Sequence, residues 1–154
     1  MNYTKFAQLQ QHFEKISPAP IEGYWSTLDL QPDLFAPQSF SVGVVFQTND
    51  NKIHCRLLKD LVKLDYIYGH DFPKSIVGEM LLHAEEILKQ AEKNRLSLEA
   101  IDFYTNNLRL SKPMFASGKT VEDIINRLYK NLVVLEPHFG LDKSVLEIKE
   151  IGND

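Results

Sequence analysis

Apolar and polar residues alternate most clearly between positions 40 and 57. Side chains at every second position of a strand share a face, so this pattern predicts a pleated strand. Residues 48–52 are of types that favour turns, and the alternation resumes at residues 53–57. The pattern therefore predicts a β-hairpin. Its first strand carries one apolar row, made of Phe40, Val42, Val44 and Phe46.

The same criteria predict further elements on both sides of the hairpin. Apolar residues at helical spacing indicate two main helices, at residues 73–95 and 120–132. Pro73 lies in the first turn of the former, and Thr120 is the expected cap of the latter. Shorter helices are predicted at residues 3–16 and 59–66, and strands at residues 22–30, 101–104, 108–110 and 145–151.

These elements predict the α+β class, with an antiparallel sheet of four to five strands. We expect two main helices packed on one face of that sheet, plus an N-terminal helix. The 154 residues are predicted to form a single domain. Within it we expect a helix and linker at 1–20, a core at 22–134, and a C-terminal edge strand and tail at 141–154.

Composition and charge narrow the classes of function. The net charge is −4, whereas proteins that bind nucleic acid through its phosphates usually carry a basic excess. No apolar run approaches the roughly 20 residues of a membrane-spanning helix. The first residues lack the pattern of a secretory signal, and a lone cysteine, Cys55, fits a reducing compartment. A cytoplasmic protein is the expectation.

One local group of basic residues stands against the acidic balance. We expect these side chains to be solvated surface charges, and a site for an anion or nucleic acid is the alternative. The candidate anion-binding residues are Arg109, Lys112, Lys119, Arg127 and Lys130.

The sequence carries no recognisable catalytic or metal-binding pattern, and we assign no catalytic residue, metal or cofactor. The five histidines are widely spread without ligand spacing. Cys55 falls on the inward row of its strand, where a small buried hydrophobic residue is expected rather than a nucleophile. The remaining enzymatic alternative is an unrecognised site near the hairpin that uses Arg56, His54 or His70.

A proline-bounded loop at residues 31–37 contains two apolar side chains, Leu34 and Phe35. Such residues in a loop either pack at the edge of the core, which is commoner, or contact a partner. Tyr68 is a further aromatic residue of the kind that anchors interfaces when exposed. Leu34, Phe35 and Tyr68 are therefore the candidate partner-binding residues.

Residues 24–134 resemble an uncharacterised family of small bacterial proteins, a domain of unknown function often encoded beside HipA-like kinases. The similar segments are residues 30–33 (LQPD), 42–46 (VGVVF), 59–64 (KDLVKL) and 108–113 (LRLSKP), followed by 120–134. The family usually has an Arg-Gly-Glu element and an Asn before the second of these segments. Here residues 36–41 (APQSFS) stand in that place.

The resemblance implies a compact bacterial α+β domain that works near a kinase-like or toxin–antitoxin system, and it supplies no activity. Together with the residues, it favours a non-enzymatic interaction or accessory protein whose partner is another protein. An antitoxin-like partner and a phage or mobile-element inhibitor both fit this description. A small enzyme and a nucleic-acid-binding module remain the alternatives.

Overall fold

The computed structural model describes residues 19–69 and 73–135. The predicted helix at residues 3–16 and the predicted strand at residues 145–151 lie outside the described residues, as does His70. In chain order the elements are β1 (Ile21–Leu30), β2 (Phe40–Thr48), β3 (Ile53–Leu57), α1 (Val62–Tyr68), α2 (Lys74–Lys93), a 3₁₀ turn (Leu98–Ala100), β4 (Leu108–Leu110), β5 (Met114–Gly118) and α3 (Val121–Leu132).

The sheet is antiparallel throughout, and its strands follow the order β3-β2-β1. Both β4 and β5 pair with the free edge of β1, β4 near its end and β5 near its beginning. Ser111 bridges the break between these two short strands. Its backbone N–H donates to the Thr27 carbonyl (2.9 Å), and its hydroxyl accepts from the Thr27 N–H (2.8 Å). The predicted α+β class is thus confirmed.

The two main helices lie on opposite faces of the sheet. Gln47 and Arg56 stand on opposite faces, because Gln47 pairs with Ile53 and Arg56 is an odd number of residues further along the same strand. The Gln47 amide donates to the Leu96 carbonyl just beyond α2 (2.8 Å). The Arg56 guanidinium contacts α3, where it donates to Asn126 Oδ1 (3.0 Å).

This arrangement differs from the predicted one, in which both helices cover a single face. The reason lies in β2. Val45 on one face of this strand is as completely buried as Val44 and Phe46 on the other face. A strand that buries both rows needs a covering layer on each side. Phe46 packs with Ile124 and Ile125 of α3.

The larger apolar cluster joins the sheet to α2, α1 and the residues that follow α3. The core residues without exposed surface in this cluster are Leu28, Leu30, Val42, Val44, Val45, Leu64 and Val133. The N-terminus of α3 is fixed as predicted, since Thr120 Oγ1 accepts from the Asp123 N–H (3.0 Å). No helix among the residues in view combines the length and the apolar character needed to cross a bilayer.

Between α2 and α3, one strand prediction is wrong and one strand was not predicted. Residues 101–104 form no strand; Phe103 is buried, and Tyr104 turns outward with φ of 57°. Asp102 stabilises that turn, because its Oδ1 accepts the Tyr104 N–H (2.8 Å). Met114–Gly118 does form a strand, β5, although its outward Met114 and Phe115 give no alternating pattern.

Gly23 and Gly78 make a matched pair of glycine-to-alanine tests. A Cβ at Gly23 meets the Gln47 carbonyl oxygen at 2.1 Å, whereas a Cβ at Gly78, within α2, meets nothing within 4 Å. We expect Gly23→Ala to lower the free energy of unfolding by at least about 2 kcal/mol, because the strands must separate. Gly78→Ala should raise it by up to about 1 kcal/mol. Urea unfolding measures both, and an unchanged Gly23→Ala protein contradicts the close approach of β1 to β2.

Ser26 and Ser41 give a second paired test, on β1 and β2. The Ser26 hydroxyl is fully buried and has no hydrogen-bond partner in the part of the chain that the structure describes, whereas Ser41 Oγ donates to Asp29 Oδ1 (2.8 Å). An unpaired buried polar group destabilises a fold, so Ser26→Ala should leave stability unchanged or raise it by up to about 1 kcal/mol. Ser41→Ala should lower it by about 1 kcal/mol. Thermal and urea unfolding measure the difference, and a large loss on Ser26→Ala contradicts this description.

Candidate functional site

The outer edge of β3 is the most distinctive feature of the described surface. The Thr48 N–H donates to the Lys52 carbonyl (3.0 Å), and the Leu58 N–H donates to the Val42 carbonyl (2.7 Å). These bonds show that the backbone N–H and C=O groups of the even-numbered residues of β3 point toward β2. In an antiparallel pair the intervening residues point their N–H and C=O groups away, so Cys55 and Leu57 direct theirs outward.

One end of this edge is closed by α2. The Ile53 N–H, which also points outward, donates to Glu92 Oε1 (2.7 Å). No such bond to the Cys55 or Leu57 N–H occurs within residues 19–69 and 73–135. Within the described residues, a short stretch of β3 therefore presents backbone donors and acceptors without partners, which is the property that lets an edge strand pair with another chain.

A groove of about 620 Å³ runs beside these groups. Cys55, Arg56 and Leu57 all line it, although consecutive strand residues point to opposite faces. A cavity bordered by both rows of side chains lies along the edge of the strand and not on one face. The groove thus occupies the space between α2 on one side of the sheet and α3 on the other.

The α2 wall of the groove is mostly apolar. Leu81 and Leu82 line it, together with Gly78, whose missing side chain widens the space. Leu81 is buried, but Leu82 exposes 67% of its surface. Glu85, one turn beyond Leu81, is the only carboxylate among the described lining residues. Burial of Leu82 by a partner would stabilise a complex by roughly 2 kcal/mol.

The α3 wall carries a cation on an aromatic ring. The Arg56 guanidinium carbon lies 4.0 Å from the centroid of the Tyr129 ring, a cation–π contact. The ion pairs within the described part of the chain join Lys52 to Asp50, Lys74 to Asp65 and Lys89 to Glu86, and none involves Arg56. The Tyr129 ring holds the guanidinium in place. Because Arg56 is exposed, its positive charge remains accessible to an anionic group.

The thiol of Cys55 sits on the α2 side of the edge. Burial and, to a smaller extent, the nearby negative charge of Glu85 together raise the pKa of Cys55 to about 11, against an opposing effect of Lys89. The thiolate is therefore scarce at neutral pH. Cys55 is free and half-buried, which agrees with the expected packing role and gives it no nucleophilic character.

The candidate partner-binding residues from the sequence differ in exposure. Leu34 and Phe35 are exposed, Phe35 completely, so the commoner expectation that they pack at the core edge is wrong. Asp33 holds their turn, because its Oδ1 accepts from the Phe35 N–H (2.9 Å). Tyr68 instead packs on the core. Its ring lies edge-on to the ring of Phe40, with 6.2 Å between the two ring centroids.

The five basic residues are all exposed and spread over three places. Arg109 lies opposite Asp29 in β4, with Lys112 just beyond that strand. Lys119 follows β5 near Ile21, so the length of β1 separates it from Arg109, roughly 26 Å. Arg127 and Lys130 are neighbours on α3. The structure therefore brings together pairs of these charges and not the whole set.

The histidines and acids near the hairpin do not converge with Arg56. His54 lines a separate cavity with Glu22 and Asp50. Within the described ranges, no group of three or more His, Cys, Asp or Glu side chains is placed to hold a metal ion. The enzymatic alternative called for one pocket that gathers at least two of Arg56, His54 and His70 with a carboxylate. Of the two that lie in the described residues, Arg56 lines the groove with Glu85 and His54 does not.

Sequence reasoning missed two residues that define the groove, Leu82 and Tyr129. Leu82 gives a usable signal, since it is an apolar residue on the polar side of a helix whose apolar stripe is complete without it. Tyr129 gives none, because an aromatic residue on the apolar side of α3 reads as core.

The comparisons with known proteins add no relative: no family model, no curated protein and no solved structure matches this chain. The resemblance to the family encoded beside HipA-like kinases stays a prediction.

Labelling of the Cys55 thiol tests the geometry of the groove. With a pKa of about 11, reaction with iodoacetamide should be slow at pH 7.5 and should accelerate about tenfold per pH unit up to that value. Glu85→Gln should lower the pKa and speed labelling at pH 8, since it removes a nearby negative charge. Glu79→Gln, exposed on the same helix, is the matched control.

The same pKa has a consequence for stability at alkaline pH. The pKa of Cys55 in the folded chain exceeds the value of 9.0 for a free thiol, so the protonated thiol favours the folded state. This contribution is complete below about pH 9 and is lost as the pH rises toward about 11. Cys55→Ala should therefore lose less stability over that range than the parent. Equal alkaline losses in both proteins contradict the burial of the thiol.

Proposed function

We propose that this chain is a non-enzymatic protein-interaction or accessory protein and that the groove beside β3 is its docking surface. The single observation that carries the proposal is the edge of β3 at Cys55 and Leu57, which has no backbone partner among the described residues and is bordered by the exposed Leu82. Backbone groups that lack partners and apolar surface that lacks cover are both stabilised by a second chain. A small-molecule site would instead enclose its ligand between convergent polar groups.

The sequence resemblance supports a particular setting for this role. A family encoded beside HipA-like kinases suggests an accessory component of a bacterial kinase-like or toxin–antitoxin system. An antitoxin-like partner and a phage or mobile-element inhibitor both act by binding another protein in the cytoplasm. The proposal is compatible with both roles, since both require a docking surface and neither requires this chain to catalyse a reaction.

Affinity capture from the native host tests the proposal, with crosslinks between the captured protein and this chain mapped by mass spectrometry. Leu82→Glu places a charge in the groove, and Ile76→Glu, also more than half exposed on α2 but outside the groove, is the matched control. We expect a stoichiometric protein whose crosslinks lie around β3, lost at least tenfold with Leu82→Glu and retained with Ile76→Glu.

Two further variants give the outcomes that contradict it. Loss of the protein with Phe35→Ala alone moves the docking surface to the loop at residues 31–37. Capture of nucleic acid that disappears with the double variant Arg127→Ala/Lys130→Ala replaces the proposal with the nucleic-acid alternative. Circular dichroism of each variant checks that the fold is intact.

A further inference from the structure

We infer that the occupant of the groove is an extended segment of a partner protein, added to the sheet as a strand beside β3, in which apolar and acidic residues alternate. This inference rests on the proposed function and adds the class of partner. Each part of the description comes from a different feature of the groove. The backbone edge specifies the extended conformation, and the two walls specify the two rows of side chains.

The backbone edge specifies a strand. Cys55 and Leu57 present N–H and C=O groups at the spacing of alternate strand residues, which another strand matches and a helix does not. The bond from the Ile53 N–H to Glu92 ends the available edge on one side. An added strand therefore gains its main-chain bonds at these two residues, over a span of roughly 10 Å.

The α2 wall specifies the apolar row. An added strand turns every second side chain toward the face that carries Leu57, Leu81 and Leu82. Leu82 is more than half exposed, so a Val, Ile or Leu of the partner covers surface that is now in water. An acidic side chain on this row would lose its hydration against leucines and would be repelled by Glu85 of the same wall.

The α3 wall specifies the acidic row. The intervening side chains of an added strand point toward Arg56 and Tyr129. The guanidinium of Arg56 is held on the Tyr129 ring and by Asn126, and the described ion pairs do not include it. A carboxylate of the partner reaches a charge whose position is already fixed, so little conformational entropy opposes the contact. Lys59, exposed at the same groove, adds a second positive charge.

Fluorescence anisotropy with the full chain tests the inference directly. The probe is a fluorescein-labelled peptide, Gly-Ser-Val-Glu-Val-Glu-Val-Ser-Gly, and its partner probe has Lys in place of both Glu residues. We expect the Glu peptide to bind at least tenfold more tightly than the Lys peptide. Arg56→Glu should reverse this preference, whereas Arg127→Glu, exposed on α3 outside the groove, should leave it unchanged.

Backbone methylation separates strand addition from general adhesion. Two versions of the Glu peptide carry N-methyl groups, one on the valine amides and one on the glutamate amides. A strand that pairs through one edge loses its bonds in one of the two versions. We expect that version to bind at least tenfold more weakly, because N-methylation removes the donors and adds bulk at the paired edge.

The outcomes that overturn the inference are distinct from failure of the proposed function. Equal binding of both methylated peptides, or of the Glu and Lys peptides, overturns strand addition or the acidic row. A captured host protein that crosslinks to the groove would leave the proposed function standing in that case. Tighter peptide binding by Ile148→Pro than by the parent chain also overturns the inference, because it identifies residues 145–151 of this chain as the occupant.

Discussion

Complete burial of both rows of β2 is the constraint on which the rest of this structure depends. Val44 and Phe46 face α3, and Val45 faces α2, each without exposed surface. One strand that buries both rows requires neighbours on each side and a helix on each face. The positions of β1 and β3, and the opposite placement of α2 and α3, follow from that requirement.

The same constraint creates the groove. β3 is the outermost of the described strands on one side of the sheet, and the helices on the two faces leave the groove open along it. α2 hydrogen-bonds the edge at Glu92, which satisfies Ile53, and α3 contacts it where Tyr129 meets Arg56. The unpaired groups of Cys55 and Leu57 lie between these two points. The candidate docking surface is thus a consequence of how the core is layered.

Many features follow from local patterns in the sequence. Alternation identified β1, β2 and β3, and helical spacing identified α2 and α3 to within two residues at their ends. The N-cap at Thr120 was predictable as well, since its hydroxyl bonds a backbone group only three residues away. The local pattern misled at two places. Residues 101–104 have the pattern of a strand but form a turn. Strand β5 shows no alternation, because Met114 and Phe115 both remain exposed.

The sequence alone determined the class of fold, because hydrophobic periodicity and capping act over a few residues. It also named Arg56 and Cys55 as residues near the hairpin, without their surroundings. Only the tertiary structure decided which faces the helices cover, that Leu34 and Phe35 stay exposed while Tyr68 packs inward, and that Arg56 meets Tyr129 across 73 positions of the chain. Those outcomes depend on which distant surfaces pack together, and no local pattern encodes that choice.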